Sequence, residues 1–146
     1  MKILVAVDFS DFTNQLVDKA ESIALAVSAK VWLLHVAGPD PEFVGYEVGP
    51  QSRRDALAEK YQIEHIQLQG FADRYRNAGL ETVALLVQGA TVETILKKAS
   101  KIDADIIVVG SHGHGAIHQL IVGSVSEGVI HRSDYPILVI PTHKRT

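Results

Sequence analysis

The sequence contains no cysteine, one methionine and one tryptophan. Without cysteine there is no disulfide framework, no thiolate nucleophile and no thiolate metal site. Positive charge is not in excess either. The formal net charge is -3, which gives no electrostatic case for binding nucleic acid or an anionic membrane surface. No run approaches the roughly 18 apolar residues that a membrane span needs. The opening Met1-Lys2-Ile3-Leu4-Val5-Ala6-Val7-Asp8 is too short in its apolar part for a signal peptide and reads as a strand. These absences predict a cytoplasmic protein with no nucleic-acid or membrane partner. What is present is a hydrophobic fraction of 47% over 146 residues. That is enough for one domain, 1–146, with a real core.

The chain is organised around residues 105–126, DIIVVGSHGHGAIHQLIVGSVS. Ile106-Ile107-Val108-Val109 is short, β-branched and bounded by glycine, which predicts a buried strand. Gly110, Gly113 and Gly115 follow, interleaved with Ser111, His112 and His114. Residues 116–122 place Ile117, Leu120 and Ile121 at helical offsets, and the run breaks at Gly123-Ser124. Strand, glycine loop, helix is an order that lets backbone N–H groups meet an anion. Glycine removes the Cβ atoms that block close approach, and a helix start favours negative charge. Gly123-Ser124-Val125-Ser126 adds two hydroxyls, and Ser124 is placed to cap the next helix.

The rest of the chain alternates. Strands are predicted at 3–7, 31–36, 81–88, 106–109 and 136–140. Helices are predicted at 14–27, capped by Ser10 or Thr13, at 52–77, capped by Ser52 and stopped by Gly79, at 91–101, capped by Thr91, and at 124–133. Residues 37–51 carry Gly38, Pro39, Pro41, Gly45, Gly49 and Pro50 and read as a loop. The tail, 142–146, is expected to fray. Alternation of this kind predicts an α/β fold with a doubly wound parallel sheet. Ligands of such sheets bind outside the C-terminal ends of the strands, where the strand order reverses. Asp8 stands at one such end; the alternative is that it bonds backbone N–H groups of its own loop. His35 reads as a packed histidine of the second strand.

The glycines are not a P-loop, since no Gly-Lys-Ser/Thr follows, and G-x-x-G-x-G is not the dinucleotide fingerprint. What stands here is Gly110-x2-Gly113-x9-Gly123-Ser124. With the strand before it and Pro136-Ile137-Leu138-Val139-Ile140-Pro141 after it, this resembles the ATP-binding signature of the universal stress protein family, over essentially the whole chain. The resemblance implies a Rossmann-like, adenine nucleotide alpha hydrolase-like fold with five strands in the order 3-2-1-4-5. It implies an adenine nucleotide, ATP or AMP, lying across the ends of strands one and four. Asp8 and main-chain groups of Val7 and Val36 would hold adenosine. Val109, Gly110, His112, Gly113, Gly123, Ser124, Val125 and Ser126 would lie along the phosphates, with Gly89 beside the nucleotide and Tyr46 stacking from the loop. Mg2+ would come with the phosphates. The resemblance also implies a homodimer through the 136–141 edge strand and a regulatory, stress-response role.

Two sharper chemistries are weaker. His112, His114 and His118 cluster, but no carboxylate or cysteine joins them, so they read as solvent-facing or phosphate-facing groups rather than metal ligands. Ser111, Ser124 and Ser126 lie near His112, yet there is no Gly-x-Ser-x-Gly elbow. No Lys or Arg stands in the loop to offset charge on a transferred phosphoryl group. Binding with slow or no hydrolysis is therefore expected. The alternatives are a slow ATPase or adenylyl-transfer enzyme on the same scaffold, and a nucleotide-free interaction module.

Overall fold

The computed structural model describes residues 1–38, 51–111 and 124–142. Expectations for Tyr46, His112, Gly113, His114, His118, Gly123 and the helix at 116–122 lie outside them. The described elements are β1 (Lys2–Ala6), α1 (Thr13–Val27), β2 (Lys30–Ala37), α2 (Gln51–Asn77), β3 (Thr82–Gln88), α3 (Thr91–Ile102), β4 (Ile106–Gly110), α4 (Ser124–Arg132) and β5 (Ile137–Ile140). The strands form one sheet in the order β3-β2-β1-β4-β5. Every pairing is parallel.

The near-continuous apolar strands are explained by burial on both faces. Side chains alternate along each strand. Ile3, Val5, Val31, Leu33 and Val108 therefore enter a core under α1 and α2, with Leu16, Val17, Leu68 and Tyr75. Leu4, Leu34, Ile107 and Val109 enter a second core under α3 and α4, with Ile95, Ala99 and Val129. Two helices on each face, reached by crossovers that reverse direction after β3, make the sheet doubly wound.

Three helices stop in the same way before a strand. Ser28, Gly79 and Asp103 take left-handed backbone angles, with φ of 51°, 98° and 56°. The next residue then bonds back into the last turn: Ala29 N to Ala24 O, Leu80 N to Tyr75 O, and Ala104 N to Ala99 O, all at 2.9–3.0 Å. Only Gly79 was expected as a stop.

The predicted N-caps are corrected. Phe12 occupies the N-cap of α1 and Ala90 that of α3, neither with a side-chain bond. Thr13 and Thr91 are the first helical residues instead, and Ser52 and Ser124 also lie inside their helices. Thr13 turns its hydroxyl back to Ser10 O at 2.8 Å, so it braces the loop rather than the helix. The tail is corrected at its first residue. Thr142 is buried, and its N–H donates to Ser111 Oγ at 3.0 Å.

Candidate functional site

The site is built where β1 and β4 end side by side. Their register, Ile3 with Ile106 through Val5 with Val108, brings Val7 and Gly110 to the same edge of the sheet. Toward β3 the chain runs on through β2, toward β5 through β4. The strand order reverses here, which is the place a parallel sheet opens a crevice.

Val7 is fixed on both sides of its peptide. Its N–H donates to Leu34 O at 2.8 Å, and its carbonyl accepts from His35 Nδ1 at 2.7 Å. Asp8 is half-buried. Its Oδ1 accepts from Ser10 N at 3.0 Å, and its carboxylate has no other partner among the described residues. Phe9 then takes a positive φ of 55°. For a bulky aromatic this is a costly conformation, kept only when the surroundings over-determine it. What holds it is partly His35, whose ring meets the Phe9 ring edge-on with centroids 4.7 Å apart.

Across the crevice, Ser126 is buried and its hydroxyl donates to the Gly110 carbonyl. That bond seats the first turn of α4 against the end of β4. Ser124 and Val125, in the same turn, are exposed. Gly110 and Ser126, 16 residues apart in the chain, are thereby drawn together. Ser126 points its proton inward, so of the two hydroxyls in this turn Ser124 is the one that faces solvent. Val109 is buried in the α3–α4 core, with its side chain turned from the crevice.

Val36 is half-buried near the end of β2, paired with Val87. Gly89 lies farther out, after β3 and two strands from β1. Its N–H donates to Ala37 O at 3.1 Å. Its φ is +156°, and a Cβ there would come 2.6 Å from Thr94 Oγ1. The turn thus has its own structural need for glycine. So the structure gathers Val7, Asp8, Gly110, Ser124, Val125 and Ser126 around the crevice. Val36 stands beside it and Gly89 at a distance. Sequence reading missed Phe9 and Glu64. Glu64, buried on α2, contacts His35 Nε2 through Oε2. It had no local signal, being one charge among many in a long helix.

Comparison with known proteins decides the relationship. A model of the "Universal stress protein family" matches residues 1–141. This chain belongs to the universal stress protein family. The universal stress protein in the QAH/OAS sulfhydrylase 3' region of Thermus aquaticus is 33% identical over 140 residues, covering 94% of this chain and 96% of its own length. Among solved structures, hypothetical protein MJ0577 superposes with a TM-score of 0.82 at 28% identity, covering 99% of this chain and 97% of its own. A universal stress protein crystallised in complex with cAMP gives a TM-score of 0.69 at 28% identity, with 98% of each chain covered.

Proposed function

We propose that this universal stress protein is a regulator that binds an adenine nucleotide, ATP or AMP, in the crevice between the ends of β1 and β4. The observation that supports the reading is the Ser126 bond to the Gly110 carbonyl, which holds the first turn of α4 against the end of β4, the strand next to β1. The chemistry fits. The second carboxylate oxygen of Asp8, unpartnered among the described residues, suits a ribose hydroxyl donor, and the exposed Ser124 hydroxyl at the start of α4 suits a phosphate oxygen. A relative crystallised with cAMP supports the nucleotide class. Among the described residues no three His, Asp or Glu side chains could hold a metal ion. Mg2+ would enter with the phosphates, which bring the charge. No helix among those residues is long and apolar enough to cross a membrane.

Denaturing purified protein and identifying the released nucleotide tests the class. Titrating ATP, ADP and AMP with and without Mg2+ then ranks them. Asp8→Asn keeps an oxygen for the Ser10 N–H and removes the charge. It is expected to weaken ATP binding about tenfold with the fold intact, and Gly113→Val to abolish binding. If both variants bind ATP like the parent protein, the site assignment is wrong. Intact ATP recovered after prolonged incubation supports the regulator; ADP accumulating with time supports the slow ATPase.

A further inference from the structure

His35 and Glu64 form a buried polar pair outside the ligand groups named above, each residue only 8% exposed. Their hydrogen bonds require a proton count. Val7 O can only accept, so His35 Nδ1 carries a hydrogen. The other ring nitrogen, Nε2, touches Glu64 Oε2. With Nδ1 protonated, a neutral ring presents a lone pair at Nε2, and a carboxylate presents lone pairs as well. Two acceptors cannot share a contact of this kind. One extra proton must therefore lie between them, on the ring or on the carboxyl group.

The pair also sits at a structural junction. On α2, residues 54–63 contribute no buried side chain; Glu64 is the first, followed by Leu68, Ala72 and Tyr75. Glu64 is thus the first buried side chain among the described residues of α2, and it ties its turn of the helix to β2. His35 meanwhile touches two consecutive features of the crevice rim, the Val7 carbonyl and the Phe9 ring. Among the described residues, the charged groups that face the pair are few. From α2, Lys60 Nζ lies 3.8 Å from Glu64 Oε1 and is largely exposed. From the loop after β1, Asp8 is turned to the Ser10 N–H. The neighbouring Tyr61 hydroxyl donates to Gly38 O at 3.5 Å. β3 contributes Leu86 opposite His35.

We propose that His35 and Glu64 are a one-proton latch, which ties the leading half of α2 to the Val7–Phe9 rim while the proton is held and releases it when the pH rises, so that ligand affinity falls with rising pH. The direction follows from the count. Adding a proton leaves Nε2–H able to donate to a carboxyl oxygen. Removing the shared one sets two acceptors against each other, and the contact opens. His35 is a positioning residue here, acting on ligand through Val7 and Phe9. The effect on affinity rests on the nucleotide reading; the latch itself does not.

The test uses the full chain between about pH 5.5 and 8.5. Hydrogen exchange of amides 57–64 and of Asp8 to Ser10, corrected for intrinsic rates, reads the latch without ligand. Protection in the parent protein is expected to fall about tenfold across this range. Glu64→Gln should hold it flat, because a carboxamide offers the ring a donor with no titrating proton. Glu64→Ala should lose it at every pH. Equal pH dependence in the parent protein and Glu64→Gln overturns the latch, even if Glu64→Ala fails to fold. ATP titration of the same proteins reads the consequence. Affinity that weakens with pH in the parent protein alone supports the proposal, and affinity that is flat while protection falls overturns its ligand half. ATP that binds at no pH, with protection behaving as expected, removes the nucleotide reading and leaves the latch standing.

Discussion

At the scale of the residue, the chain uses polar atoms sparingly and places each against a partner. No buried side-chain nitrogen or oxygen among the described residues lacks one. Tyr75 shows what one such partnership is worth. Its ring is fully buried under α1, and its hydroxyl donates to Val17 O at 2.6 Å. Burial, with the Glu21 carboxylate nearby adding to it, pushes the phenol well above its ordinary range, so the group stays a neutral donor throughout physiological pH. Tyr75→Phe keeps the ring and removes the bond. The Val17 carbonyl still sits within α1, so the expected loss is about 1 kcal/mol, a fall of a few degrees in Tm, measured by calorimetry. An unchanged Tm would show the bond to be without net effect. Sequence reading at this scale was uneven for a physical reason. Asp8 and the glycines announce themselves because strand-end carboxylates and glycine spacing are local patterns. Asp8 bonds its own loop through one oxygen, as the alternative considered for it expects. Val7 is expected to offer main-chain groups; its N–H is used by Leu34 O, and its carbonyl, which accepts from His35, keeps a second lone pair. The Glu64 contact joins residues 29 apart in the chain, on a helix and a strand, and no local pattern encodes it.

At the scale of the element, the strands were the most legible, because burial on both faces writes itself as unbroken apolar runs. All five lie within a residue or two of expectation. Helix ends were the least legible. Ser and Thr near a helix start satisfy the capping pattern wherever they fall, and here the chain passes them by, using backbone turns such as Thr94 N to Ala90 O at 2.9 Å. Ser28 and Asp103 adopt left-handed angles that composition favours mainly for glycine and asparagine. Between α3 and α4 a single ion pair invites a test. Arg132 Nη1 lies 2.7 Å from Glu93 Oε1. The Arg132 hydrogen bond, with help from the backbone at Glu93, holds the Glu93 carboxyl below its ordinary value of 4.5. A lowered carboxyl pKa gives stability that is present above the unfolded value and is lost as the pH falls through the folded one. This pair therefore acts at neutral pH and fades below about pH 4.5. Glu93 is fully exposed, so the readout is its own titration. In Arg132→Ala the Glu93 carboxyl resonance should titrate at higher pH, and an unmoved titration would mean the pair is not populated in solution.

At the scale of the whole molecule, the order β3-β2-β1-β4-β5 leaves two edges. The β5 edge is short and apolar, with Ile137, Leu138 and Val139 only half-buried. An edge of this kind pairs or must be protected. We expect it to pair with a second copy, and Val139→Lys to shift the protein to monomer in light scattering. A monomeric parent protein would instead assign the edge to its own chain. The same strand order also fixes when the crevice can exist. β1 meets β2 after 28 residues, Lys2 against Lys30, but meets β4 only after 103, Ile3 against Ile106. The crevice wall that holds Asp8 is made by the opening residues of the chain, and the facing wall by the last third. During synthesis the ribosome has released most of the protein before the second wall emerges. No chain that stops short of β4 and the first turn of α4 presents both walls, so a ligand that needs both could bind only after translation has run past them.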